Sequence, residues 1–433
     1  MVEIRPFRGL RYDTARAGQA SDLLAPPYDV IDAAQRAELA GRSAHNCVRV
    51  ILPEGEGDAR YTEGRRCFDA LRADALVHDD APGLYVYHQR FEVKGQTFVR
   101  KGLVCAMEIT PFSEGQVRPH ERTLAGPKAD RLKLMRACDA HLELVFGMFS
   151  DPTKRWEAAV ASALGDPVLD ASFDGAHHTL YRVSDPEACA AVTRALADLP
   201  VYIADGHHRY ETMCAFRREL EEAGRGDVAT HGMIYLSNLD DEGLVVLPTH
   251  RLVHGLPEMS LDAVLQTLGA FFDMDEVTIP TQAEELTAAL DPGESGRATF
   301  GLAVPGASQM TRLRLREDFS PDAAGLAALH PALATLDVAL LHELVLERGL
   351  GITKAAQEAK TNLRYFKSTE RSIAIARGDE PAGDVQLVCF MNATPVKDVV
   401  AVCDSGQVMP QKSTFFYPKI PTGLVFRALE GDV

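Results

Sequence analysis

The sequence predicts a mixed α/β fold, and three observations carry that prediction. Short apolar runs such as Val145–Phe149 and Val201–Ala204 have the length and make-up of buried strands. Stretches such as 60–76 and 210–220 repeat apolar side chains at the three-to-four spacing of a helix face. The chain is 433 residues long, 46% apolar and 25% charged, the profile of a folded protein with room for roughly two to four domains.

The elements follow in order. Ala25-Pro26-Pro27-Tyr28-Asp29-Val30-Ile31 reads as an extended turn, because two prolines remove two donors and disfavour helix before them. Asp32 caps a helix through Ala40, stopped at Gly41. Val48–Leu52 reads as a strand ended by Pro53, and 60–76 as a helix. Leu84–His88 and Phe91–Val93 read as strands flanking a turn, with β structure again from Thr97 to Ile109. Gly126-Pro127-Lys128 opens a helix, proline being suited to the first helical position. Residues 151–200 read as helix, two short strands and helix. The run Val201–Ala204 then leads through Asp205 and Gly206 into a helix ending near Gly224. Met233–Leu236 and Leu244–Leu247 are strands. Beyond them come helices at 261–272, 282–290 and about 332–348, with strands between, and late strands at Val385–Met391 and Leu424–Phe426. Four regions are expected: an N-terminal α/β region (1–150), a core region (151–254), an accessory α/β unit (255–348) and a C-terminal segment returning to the core (349–433).

Charge narrows the function. Sixty-two acids against 45 lysines and arginines leave a formal charge of −17. A general nucleic-acid binder needs basic surface that releases counterions, so nucleic acid is a poor partner. One cleft can still be cationic. No run approaches the roughly 18 apolar residues of a membrane span, and the opening Met1–Phe7 lacks a signal-peptide core. Eight widely spaced cysteines, none in a C-x-x-C pair, read as reduced thiols of a cytoplasmic protein.

Chemistry concentrates at four strings. In the first, Asp205-Gly206-His207-His208-Arg209 bridges a strand and a helix. A helix start presents unpaired N–H groups and positive potential, a glycine admits a ligand close to the backbone, and arginine grips phosphate with two donors. The plainer reading makes Asp205 an N-cap and the histidines surface residues. His207 and Glu211 stand at i, i+4 as metal ligands do, but no H-E-x-x-H pattern supports a protein-only metal site. Magnesium arriving with a nucleotide needs only one or two carboxylates. The second string is His120-Glu121-Arg122-Thr123, followed by Lys128 and Arg131 at i, i+3. It offers Glu121 as a general base or metal-binding carboxylate and the cations as an anion site, or else a salt-bridged helix face. The third is His250-Arg251 after a strand, and the fourth is Met409–Lys419, with Lys412, Ser413 and Thr414. Either can line a phosphate pocket or sit on an edge strand. Walker A, G-x-G-x-x-G and G-x-S-x-G signatures are missing.

The strings Ala25–Ile31, His120–Thr123, Ile203–Thr212 and Met409–Thr414, in this order, resemble the bacterial and archaeal family known as domain of unknown function 1015. That family's name implies no activity. The Asp205–Arg209 string also resembles the phosphate-binding motif of free-serine kinases on a ParB-like nucleotide-binding core. That resemblance implies that Asp205, Gly206 and Arg209 hold phosphates, with Lys128, Arg131, His250, Arg251, Lys412, Ser413 and Thr414 completing the anion pocket. Glu121, His207 and His208 would then be catalytic. The implied function is a phosphotransferase acting on serine or phosphoserine with Mg²⁺ and ATP or ADP. The alternatives are a phosphatase in the same pocket, a ParB-like switch without turnover, and a scaffold with a vestigial pocket.

Overall fold

The computed structural model describes residues 3–123 and 125–430, so Met1 and Val2 of the opening stretch lie outside it. The chain packs into two units: residues 1–119, 123–245 and 418–433 form the first, and 120–122 with 246–417 form the second. Both mix helices and strands, so the α/β class holds.

The first unit is organised on a nine-stranded mixed sheet. Strand 201–205 lies between Val117–Arg118, its parallel neighbour, and Val145–Phe149, its antiparallel neighbour. The sheet continues through His231–Asn238, Gln96–Glu108, Leu84–Val93, Ala176–Val183 and Pro167–Phe173. Its core includes Val145, Val201, Ile203, Ile234 and Leu236 from the strands, with Tyr210, Met213, Phe216 and Leu220 from the helix His207–Glu222 packed on them. Those helix positions repeat every three or four residues, the spacing that selected the helix. The second unit carries an antiparallel six-stranded sheet in the order 272–278, 309–315, 299–303, 385–391, 250–254 and 363–366.

Several expected elements differ: the late strand expected at Leu424–Phe426 falls instead at Arg427–Ala428, and the helix expected over about 332–348 is split into Pro331–Ala334, Asp337–Leu340 and the wider turns of Leu341–Gly349. Val48–Ile51 is a helical turn, not a strand. Val48, Val50 and Ile51 are all fully buried, and the Asn46 side chain accepts from the Val48 amide, turning the chain at once. The local turn decides this and burial does not, since Val145–Phe149 is buried throughout and remains a strand. The two strands expected between 84 and 93 are one, and the turn falls at Lys94–Gly95, both at positive φ. Gln89, read as a turn residue, is buried in mid-strand and bonds Arg100 across the hairpin. Helices at Lys354–Ala359, Thr369–Arg377 and Val396–Asp404 went unread. Among the described residues no helix is long and apolar enough to cross a membrane.

Candidate functional site

Strand 201–205 ends at Asp205, Gly206 turns at φ +86°, and the helix begins at His207. A Cβ at Gly206 would stand 2.9 Å from Nε of Arg209, so both the backbone angle and the space demand glycine. Asp205 is not the N-cap of the plainer reading. The N-cap is Gly206, no side-chain cap bond is made, and no acid stands in the first turn. The Asp205 carboxylate is committed elsewhere: Lys419 Nζ donates to Oδ1 and Arg209 Nη2 to Oδ2, both at 2.7 Å. His207 is buried, His208 half-buried, and Arg209 buried.

The surroundings of Arg209 come from distant parts of the first unit. Its Nη1 donates to the Leu144 carbonyl. Burial works against its charge, but Asp205 and Glu143 outweigh burial and hold the guanidinium above its ordinary value. Glu143 accepts from the Tyr28 amide and lies 3.5 Å from Arg131, whose guanidinium sits 4.1 Å from the Tyr28 ring centroid. Burial, with the Glu143 carboxylate adding to it, pushes the Tyr28 phenol up to about 12, leaving it a neutral donor. Lys419 is placed by its backbone: Gln89 donates to its carbonyl and Arg100 to that of Pro418. The Pro-Pro-Tyr string, the histidine motif and the end of the C-terminal string thus meet in one unit. Glu143 is the member that sequence reasoning missed, while Lys419 was read only as the end of the string Met409–Lys419. The strand after Glu143 was legible, but nothing local marks its partner.

Lys128 and Arg131 do not share one anion. Lys128 donates to Glu211 at 2.7 Å, and Thr123 donates to the same oxygen. That occupies the carboxylate considered as a metal ligand with His207. Arg131 is buried, bonding Asp130 and the Ile51 carbonyl.

Glu121 belongs to the second unit, where it meets the other half of the C-terminal string. It bridges to Met409 in parallel register, and its Oε1 accepts from the Lys412 amide at 3.4 Å. His120 Nε2 lies 2.9 Å from the Thr414 hydroxyl. Ser413 donates to the Pro410 carbonyl and its own carbonyl accepts from Thr394, so this hydroxyl holds the turn. His250 and Arg251 are fully buried. His250 Nδ1 accepts from the Met391 amide, its Nε2 faces Thr369, and burial lowers it to about 3, a neutral ring. Neither residue presents an exposed group to an anion.

A family model described as "Protein of unknown function (DUF1015)" matches residues 4–339, the family that the four strings resemble. No curated protein matches the sequence. Among solved structures, a conserved hypothetical protein from Pyrococcus furiosus is 16% identical, covering 73% of this chain and 94% of its own, at a TM-score of 0.34. A free serine kinase in complex with AMP is 14% identical, with coverages of 71% and 89%, at 0.34. SbnI with C-terminal truncation, from Staphylococcus aureus, is 10% identical, with coverages of 76% and 90%, at 0.35.

Proposed function

We propose the following for this chain, which belongs to the family described as "Protein of unknown function (DUF1015)": it is a nucleotide-dependent phosphotransferase acting on a small hydroxyl compound, serine or phosphoserine first. One observation supports this above the others. The helix at His207 opens on a glycine without a side-chain cap, carries two histidines and no acid in its first turn, and has its neighbouring aspartate tied to Lys419 and Arg209. Histidines are unfavourable at the positive end of a helix, where acids are preferred. An anion at that end satisfies the first-turn amides and turns the histidines into additional donors. A nucleotide phosphate is such an anion.

In this reading Asp205 fixes Arg209 and Lys419, while Gly206, His207 and His208 line the phosphate. Magnesium comes with the nucleotide, coordinated mainly by phosphate oxygens. His208, at the same helix start, serves as the base: a nitrogen of its neutral ring takes the proton of the acceptor hydroxyl as that oxygen bonds to the γ-phosphorus, and the bond from phosphorus to the bridging oxygen breaks with its electrons going to ADP. Serine is named because the motif string resembles that of free-serine kinases.

The test is ³¹P spectroscopy of the full chain with serine, ATP and Mg²⁺, and separately with phosphoserine and ADP. Phosphoserine should appear in the first mixture, and ATP in the second if transfer is reversible. His208→Gln should slow the reaction by about 10²–10⁴-fold while nucleotide still binds. Nucleotide binding without transfer in either mixture would favour a switch module, and no nucleotide binding at all would end the proposal.

A further inference from the structure

Arg251 is fully buried in the strand His250–His254. Its Nη groups reach the Thr249 and Lys412 carbonyls, the Met391 sulfur and Nε2 of His342, and no carboxylate among the described residues pairs with it. His342 is neutral, lowered to about 3 mainly by burial, and its Nδ1 faces Gln357. Burial brings Arg251 itself down to about 10. A buried charge is costly unless it is paired, so an unmatched guanidinium marks a place where negative charge is wanted.

Two further groups adjoin it. Tyr365 is the cross-strand partner of Arg251, with its ring centroid 5.3 Å from the guanidinium. Its hydroxyl is buried and makes no hydrogen bond. Lys412 is held by Arg251 through its carbonyl and by Glu121 through its amide. Lys360 ends the helix Lys354–Ala359 just before the strand of Tyr365. Both lysines adopt left-handed backbone, Lys360 at φ +57° and Lys412 at φ +58°, which costs a side-chain-bearing residue energy and often marks a functional position. The Lys360 ammonium is pushed down by burial and by Lys412, and held up by Glu121. No local motif pointed to Lys360 or Tyr365.

We propose that Lys360, Lys412 and the Tyr365 hydroxyl, backed by Arg251, form a binding site for an oxyanion, the phosphoryl or carboxylate group of a small molecule. Glu121 accepts a hydrogen bond from a hydroxyl or ammonium on the same molecule, so the ligand carries both kinds of group. Arg251 is a positioning residue: it holds Tyr365 and Lys412 and supplies charge from beneath. The site needs no phosphoryl transfer and stands or falls separately from the reading above.

Calorimetry on the full chain, with phosphoserine, serine and inorganic phosphate as probes, tests this. Lys360→Asn removes the charge but keeps a residue at ease in left-handed backbone. It should weaken binding about tenfold, the loss of one charged hydrogen bond. Tyr365→Phe should weaken binding several-fold while the melting temperature stays or rises, because the hydroxyl has no protein partner to lose. Phosphate and phosphoserine affected together identify the phosphoryl group as the one held, and serine and phosphoserine affected together identify the carboxylate. Equal affinities in wild type and both variants, or no binding of any probe to the wild type, would overturn the proposal.

Discussion

Gly206 shows how much one backbone angle decides. At φ +86°, with Arg209 Nε 2.9 Å from where a Cβ would stand, alanine must strain the turn and displace the guanidinium that holds Asp205. Gly206→Ala should cost about 1–3 kcal/mol of stability and weaken nucleotide binding as well. Chemical denaturation and calorimetry on one preparation check both, and a variant matching wild type in each would show the turn to be tolerant. The glycine, the histidines and the arginine were legible as residues. Their allegiances were not: Asp205 looks like a cap in the sequence, yet two cations hold it, one of them 214 positions away.

Among the elements, caps were legible because they are local. Asp32 was read as a cap, and it accepts from the Gln35 amide at 2.8 Å. Asp185 plays the same part for the helix Pro186–Leu196, accepting from Ala188 at 2.8 Å, with proline at the helix start. Asp185→Ala should therefore cost about 1 kcal/mol, with no change in ligand binding. Thermal melts with a binding assay check this, and a loss of binding would show that the helix reaches the site. Elements were misread where a specific contact overrode local preference: the Asn46 side chain turns the chain at Val48, and Arg100 holds Gln89 inside the strand.

The whole molecule hides several histidines from protons. Burial lowers His178 to about 4, and His231, His250 and His342 to about 3, so the folded chain keeps them neutral. An unfolded histidine titrates near 6.5. Between these values the unfolded chain binds more protons, so the stability these rings contribute is complete above about 6.5 and is lost as pH falls toward 4 and 3. At full slope each ring costs about 1.4 kcal/mol per pH unit. Asp337 acts oppositely. Burial and the nearby Asp398 raise it to about 7 from an ordinary 3.8, so its contribution is present at low pH and is lost as pH rises through 7. With His88 and His141 also lowered by burial, the lowered histidines outnumber the raised carboxylates Asp337 and Asp398, which predicts a net fall in stability from pH 6.5 to pH 4.5. Urea denaturation at those two values checks it, and equal or greater stability at pH 4.5 would contradict the neutral rings.

The sequence alone determined the α/β class, the strand–glycine–helix junction at 201–207, and the family, because apolar spacing, turn chemistry and contiguous strings act over a few residues. Tertiary structure decided the partners. Lys419 came to Asp205, Tyr28 to Glu143 and Lys412 to Glu121, and the C-terminal string was divided between the two units. It also buried His250 and Arg251, which the sequence offered as lining a phosphate pocket. The reason is physical. A residue type states what charge or hydrogen bond it brings, but which group completes it depends on strand order and burial, and these are set by the packing of the whole chain.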